Sequence, residues 1–192
     1  MPLKIDGSHG EGGGQILRTS LALSAVTGEA VEVHDVRAER ETPGLKRQHL
    51  AVVDAIAEMS DADVEGDDEG SERVLFDPSE VTGGEYTVDV GTAGSVTLVA
   101  QSAILASVGA DSTVELVIRG GTDVKWSPTY AYLEHVTLPL LETIGVEAES
   151  RLVRRGHYPE GGGEISLVVE PSYPEPTRLT RRGELRRVEG LS

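Results

Sequence analysis

The chain has 192 residues, no cysteine and a formal net charge of -16. That length allows one large domain or two small ones, and the missing thiols exclude disulfides, cysteine nucleophiles and thiolate metal sites. No apolar run approaches the roughly 18 residues that span a bilayer, Leu3–Ile5 is too short for the apolar region of a signal peptide, and there is no asparagine to glycosylate; the cytoplasm is the expected setting. Thirty-three acidic residues against seventeen basic ones, only three of them lysine, argue at first against a nucleic-acid partner. The same balance also suits a salt-rich cytoplasm, where screening removes most self-repulsion. The placement of the few cations therefore says more than their number.

In chain order, a short strand at Leu3–Ile5 leads through a glycine-rich turn into a helix over Gln15–Val26, with Ile16, Leu17, Leu21, Leu23 and Val26 apolar and Gly28 as its stop. A β-rich strand at Val31–Val36 precedes Arg37. Thr42-Pro43-Gly44 then opens a second helix over Leu45–Met59, followed by extended segments at Ala62–Glu65 and Arg73–Phe76 around the acidic turn Gly66–Glu72. About 81 residues after the first glycine turn the pattern returns. Thr92-Ala93-Gly94-Ser95 turns into a helix over Val96–Val108, Gly109 stops it, and Val114–Ile118 forms a strand before Arg119. Ser127-Pro128-Thr129 opens a helix over Tyr130–Ile144, with Val146–Glu149 and the strand Glu164–Val169 beyond it.

Each unit reads β-α-β-α-β-β, which predicts an α+β fold of duplicated units with helices packed on small sheets. The expected division is 1–85, 86–175 and a connector, 176–192. The final Arg187–Ser192 reads as the start of a strand that continues into a missing downstream part.

Two segments are candidates for chemistry. Asp6–Arg18 places five glycines in eight positions between a strand and a helix start, so backbone N–H groups can approach an anion closely. Glu11 in that loop can hold a divalent metal, and Arg18 can meet a phosphate. The segment is neither a Walker motif nor a dinucleotide fingerprint, and a plain tight turn would also use glycine. Arg37–His49 gathers Arg37, Arg40, Lys46, Arg47 and His49 within thirteen residues. Arginine suits bidentate phosphate contact, and Gln48 and His49 can hydrogen-bond a ribose or base; the alternative is a solvated face paired with Glu39 and Glu41. Weaker signals are Gln101 inside an apolar helix, the aromatic cluster Trp126, Pro128, Tyr130 and Tyr132, which can stack on a base or pack a helix start, and Arg154–Gly163, which suits an RNA backbone or a hairpin turn. No catalytic triad and no paired-histidine metal motif is legible, and His34 and His135 read as structural or surface residues.

These motifs together, with Gly120-Gly121-Thr122-Asp123 and His157–Gly163, resemble the RNA 3'-terminal phosphate cyclase family in order and spacing over about residues 1–190. The resemblance implies a duplicated α+β core related to enolpyruvyl transferases, with a third repeat and a small inserted domain beyond this chain. It implies ATP with Mg²⁺ or Mn²⁺, and a reaction in which AMP passes from an enzyme histidine to an RNA 3'-phosphate that the vicinal 2'-OH closes into a 2',3'-cyclic phosphate. By position it makes Glu11 a metal and catalytic-site carboxylate, Arg18, Arg37 and Arg40 phosphate-contacting arginines, and Gln48 and His49 active-site polar groups. Gln101 becomes an ATP contact, with Pro128 and Tyr132 around the adenine. The family's nucleophilic histidine lies in a C-terminal motif without a counterpart here, so the chain is expected to be an inactive fragment. A non-catalytic RNA-processing or ribosome-assembly homologue of the same fold is the alternative, and an enolpyruvyl transferase relative a third reading that the glycine and Arg-Gln-His motifs disfavour.

Overall fold

The computed structural model describes residues 1–188 and Gly190, so the end of the strand expected over 187–192 lies outside the described residues. The first unit contains β1 (Leu3–Asp6), α1 (Gly14–Thr27), β2 (Val31–His34), α2 (Arg47–Ser60), β3 (Asp63–Glu65) and β4 (Val74–Asp77). The second contains β5 (Gly84–Asp89), α3 (Val96–Ser107), β6 (Val114–Gly120), a broken helix, β7 (Ala148–Arg154) and β8 (Gly163–Val169). The sheets are ordered β1-β2-β4-β3 and β5-β6-β8-β7. In both, the first pair is parallel and the other two antiparallel. The duplicated α+β reading therefore holds down to strand order.

The helices join the units. α1 packs against α2 and α3, and α2 also reaches β5. Val96, Val99, Ala100, Ala103, Ile104 and Ala106 of α3 are buried while Leu98, Gln101 and Leu105 are half-buried, so most of this helix lies inside the fold. Its start is capped by Ser95, whose hydroxyl accepts from the Leu98 amide at 3.3 Å.

Several boundaries move. The strand expected to reach Val36 ends at His34, because Asp35 and Arg37 adopt positive φ (54° and 57°) and turn the chain. The helix expected over Tyr130–Ile144 is α4 (Tyr130–Tyr132), a π-helical stretch (Leu133–Thr137) and α5 (Leu138–Glu142). Pro139 has no amide to donate to the helical ladder, and just before it the Leu138 amide reaches back five residues to the Leu133 carbonyl. β5 begins at Gly84, so the expected 85/86 division falls within a strand. After Val169 no described segment forms a regular element, although Ser172 is buried and its amide donates to the Val108 carbonyl. No helix among the described residues is long and apolar enough to cross a membrane.

Candidate functional site

The parallel pair β1–β2 delivers the glycine loop and the Arg37–His49 segment to the same end of the first sheet. Asp6, the last residue of β1, accepts hydrogen bonds from the Ser8 amide at 2.8 Å and the Ser8 hydroxyl at 2.6 Å, which starts the turn. The loop then passes against the basic segment. A Cβ on Gly13 would come within 3.5 Å of an Arg40 guanidinium nitrogen, and one on Gly14 would collide with His49 Nε2 and lie 3.1 Å from Arg18 Nη1. Only glycine at position 14 admits the imidazole and the guanidinium so close to the start of α1.

His49 is 8% exposed. Its Nδ1 accepts the Lys46 amide at 3.1 Å, and its own amide donates to the Lys46 carbonyl at 2.7 Å, a reciprocal cap in which imidazole replaces the usual Glu or Gln. The neutral ring therefore carries its proton on Nε2, facing the glycine loop. Burial, followed by the charges of Arg37, Arg18 and Lys46, pushes its pKa down to about 4. Burial also lowers the pKa of Arg18.

The cations are not neutralised within the fold. Among the described residues Arg18, Arg37, Arg40, Lys46 and Arg47 form no salt bridge, so the pairing with Glu39 and Glu41 does not occur. Arg37 turns its Nη1 onto the Thr42 and Gly44 carbonyls, at 3.0 and 2.7 Å, and holds the basic loop closed.

The second unit contributes the other wall. Gln48 Oε1 accepts the Ser95 amide at 3.0 Å, tying α2 to the start of α3. Arg47 approaches the turn Gly91–Gly94, 3.2 Å from where a Gly91 Cβ would stand. Thr97 donates its hydroxyl to the Pro128 carbonyl at 2.7 Å and fixes that loop over α3. Between α1 and α3 lies a cavity of about 300 Å³ lined by Gln15, Arg18, Thr19, Gln101, Ser102 and Pro128. Gln101 is thus half-buried in the cleft rather than on an outer surface. Tyr132 stands apart, exposed and absent from this lining, and Tyr130 is buried as helix-start packing. A larger groove of about 780 Å³ beside α5 and β7 is lined by Glu134, Glu142, Glu147, Glu149 and Glu170, carboxylates that would repel phosphate.

Glu11 is exposed in the loop. The one three-residue cluster of metal-ligating groups among the described residues is Asp6, His34 and Asp35, which excludes it. A cation on Glu11 would find at most one further such group within reach among the described residues, with phosphate oxygens and water completing its shell. That suits the Mg²⁺ class, which is commonly held by one or two carboxylates and the substrate's phosphates. The cavity presents the Arg18 guanidinium from α1 with Gln101 and Pro128 among its other lining residues, a cation and polar groups of the kind a phosphorylated ligand needs.

A family model described as RNA 3'-terminal phosphate cyclase matches residues 9–180. The chain belongs to this family. Curated RNA 3'-terminal phosphate cyclases from Methanopyrus kandleri and Pyrococcus furiosus are 50% and 51% identical to it, over 99% and 98% of this chain and 54% and 55% of their own lengths. The protein of that name from Methanosarcina mazei is 52% identical over 88% of this chain and 48% of its own. The chain thus spans about half the length of the curated cyclases it matches. Among solved structures, an EPSP synthase from Acinetobacter baumannii overlaps 86% of this chain and 30% of its own with a TM-score of 0.49 and 15% identity. Of the residues expected from the sequence, Arg18, Gln101 and Pro128 line the cavity, Arg40 and His49 stand against the glycine loop, and Tyr132 lies apart. The reach of Arg47 to the second glycine turn and the bond from Thr97 to Pro128 were not expected, since both depend on tertiary contacts.

Proposed function

We propose that this chain supplies the ATP and RNA-end site of an enzyme that converts an RNA 3'-phosphate into a 2',3'-cyclic phosphate. The observation that carries the reading is the cluster of cations around the glycine loop and the start of α2 that form no salt bridge among the described residues, in a chain with 33 acidic residues. A desolvated arginine left without an acidic partner suits a bound anion.

Arg18 and Arg40, with the amides of the glycine loop, neutralise phosphate oxygens. Arg37 acts mainly by holding the loop. His49 donates from Nε2 and stays neutral near pH 7, so it binds an acceptor without adding charge. Gln48 spends its carbonyl oxygen on Ser95 and keeps its amide nitrogen for a ligand. Gln101 and Pro128 meet the nucleotide. A divalent cation on Glu11 would offset the triphosphate charge. The reaction transfers AMP from ATP to an enzyme histidine with loss of pyrophosphate, then to the RNA 3'-phosphate; attack by the 2'-OH on that phosphorus closes the ring and releases AMP. The histidine that accepts AMP lies outside residues 1–192 in this reading, and the setting is the cytoplasm.

Calorimetric titration of the chain with a short oligoribonucleotide tests the site. The form ending in a 3'-phosphate is expected to bind more tightly than the same oligomer ending in a 3'-hydroxyl, and Arg18→Ala to abolish the difference. Equal affinities for the two ends in the unmodified chain would sink the reading.

A further inference from the structure

Trp126 is the only tryptophan of the chain, and it is 97% exposed. Its φ is +65°, a region bulky L-residues rarely occupy. Glycine would serve a turn that needed only this backbone shape; here the largest side chain stands in water instead. The segment around it is fixed. The Ser127 hydroxyl donates to the Val124 carbonyl at 2.9 Å, the Tyr130 amide to the Thr122 carbonyl at 3.0 Å, and Thr97 holds Pro128 from α3.

The ring is two residues from Pro128, which lines the Arg18 cavity, yet it does not line that cavity itself. It therefore stands outside the pocket and not within it. A nucleotide held in the cavity needs nothing so far out. An RNA whose 3'-phosphate enters the cleft must lead its preceding nucleotides over the rim into solvent.

The surroundings suit such a strand. Lys125 is exposed and forms no salt bridge among the described residues. The hairpin tip between β7 and β8 is bonded to the same loop: the Thr122 amide donates to the Gly156 carbonyl at 2.8 Å, and Arg155 pairs with Asp123 at 2.9 Å. That tip presents Tyr158, 83% exposed, and carries the exposed Arg154 at its start. Exposed aromatics interleaved with cations are how proteins hold single strands without reading sequence, since every base has a π-face.

We propose that Trp126 is a stacking platform for a base of the single-stranded RNA whose 3' end enters the Arg18 cleft. This rests on the reading of that cleft as an RNA-end site and adds the path by which the strand leaves it. Stacking implies little preference for the identity of the base.

The lone indole allows a direct test on the full chain. Its emission would be followed during titration with a single-stranded oligoribonucleotide ending in a 3'-phosphate, and separately with ATP and Mg²⁺. RNA affinity would be measured by anisotropy of the labelled oligomer for the unmodified chain, Trp126→Ala and Trp126→Phe. Saturable quenching by RNA and not by ATP is expected. Trp126→Ala should weaken RNA binding about tenfold and Trp126→Phe restore most of it, with ATP affinity and melting temperature unchanged. Equal RNA affinity of the unmodified chain and Trp126→Ala overturns the proposal and leaves the cleft reading intact. Quenching by ATP instead assigns the ring to adenine and also overturns it. No RNA binding by the unmodified chain overturns both readings.

Discussion

The Gln48 side chain accepts the amide of Ser95 at 3.0 Å, so a helix of the first unit caps the start of a helix in the second. The candidate site is therefore a property of the pair of units and not of either one. Gln48→Leu leaves a buried N–H without an acceptor, which costs about 1–3 kcal/mol. Gln48→Glu keeps an acceptor oxygen and should recover much of that loss. Denaturant melts of the two variants check it; equal destabilisation by both would show that the bond contributes nothing.

Gly14 and His49 are coupled by contact. Gly14→Ala places a methyl group against the imidazole, an overpacking that costs about 1–3 kcal/mol. In a His49→Ala background the same substitution should be nearly neutral. A double-mutant cycle on unfolding free energies measures the coupling, and additive losses would deny the contact.

His49 gives the chain an acid sensitivity of defined sign. Its folded pKa of about 4 lies below the ordinary 6.5, so the unfolded chain binds the proton more readily. The stabilisation from this group is complete above pH 6.5 and is lost as pH falls toward 4, at most about 3 kcal/mol. His49→Gln, which keeps an acceptor for the Lys46 amide, should flatten the change in melting temperature across that window. An unchanged slope would assign the acid sensitivity to other groups.

Arg18 is expected to dominate nucleotide affinity. Arg18→Ala should weaken ATP binding tenfold or more, since a hydrogen bond to a charged group is worth about 1.5–3 kcal/mol. Arg18→Lys keeps the charge, loses the planar fork and should fall between. Gln101→Ala should have a smaller effect. Equilibrium dialysis with ATP and Mg²⁺ ranks the three, and an Arg18→Ala chain that binds normally would move the nucleotide elsewhere.

None of the five histidines lines the cavity between α1 and α3. His34 is paired with Asp35 at 2.8 Å and His135 with Glu134 at 3.2 Å, His49 is buried in its cap, and His9 and His157 lie outside the cavity lining. Intact mass of the chain after incubation with ATP and Mg²⁺ or Mn²⁺ should therefore be unchanged while circular dichroism shows it folded. An AMP adduct would place the nucleophile within these residues.

The duplication was legible because glycine turn, amphipathic helix and β-branched strand recur in the same order, and the sheets repeat that order faithfully. β5 went unnamed: Glu85, Thr87 and Asp89 alternate with Tyr86 and Val88 on an edge strand whose polarity resembles a loop. The break in the helix after Tyr132 was also unread, although Pro139 is its signal in the sequence. The glycine loop and the basic segment were each legible as a motif, and the parallel pairing of β1 with β2 is what sets them side by side. Thr97 bonding Pro128, and Arg47 reaching the second glycine turn, were not legible, since both depend on tertiary contacts.

α3 belongs to the second unit by topology, yet its flanks are covered by α1 and α2 of the first. The chain thus has two repeats but no seam along which one can open alone. Its amides should exchange with solvent only when the whole structure opens, and the slowest protons of both halves should then report one shared free energy. The duplication would survive as a pattern of strands and not as two separate folding units.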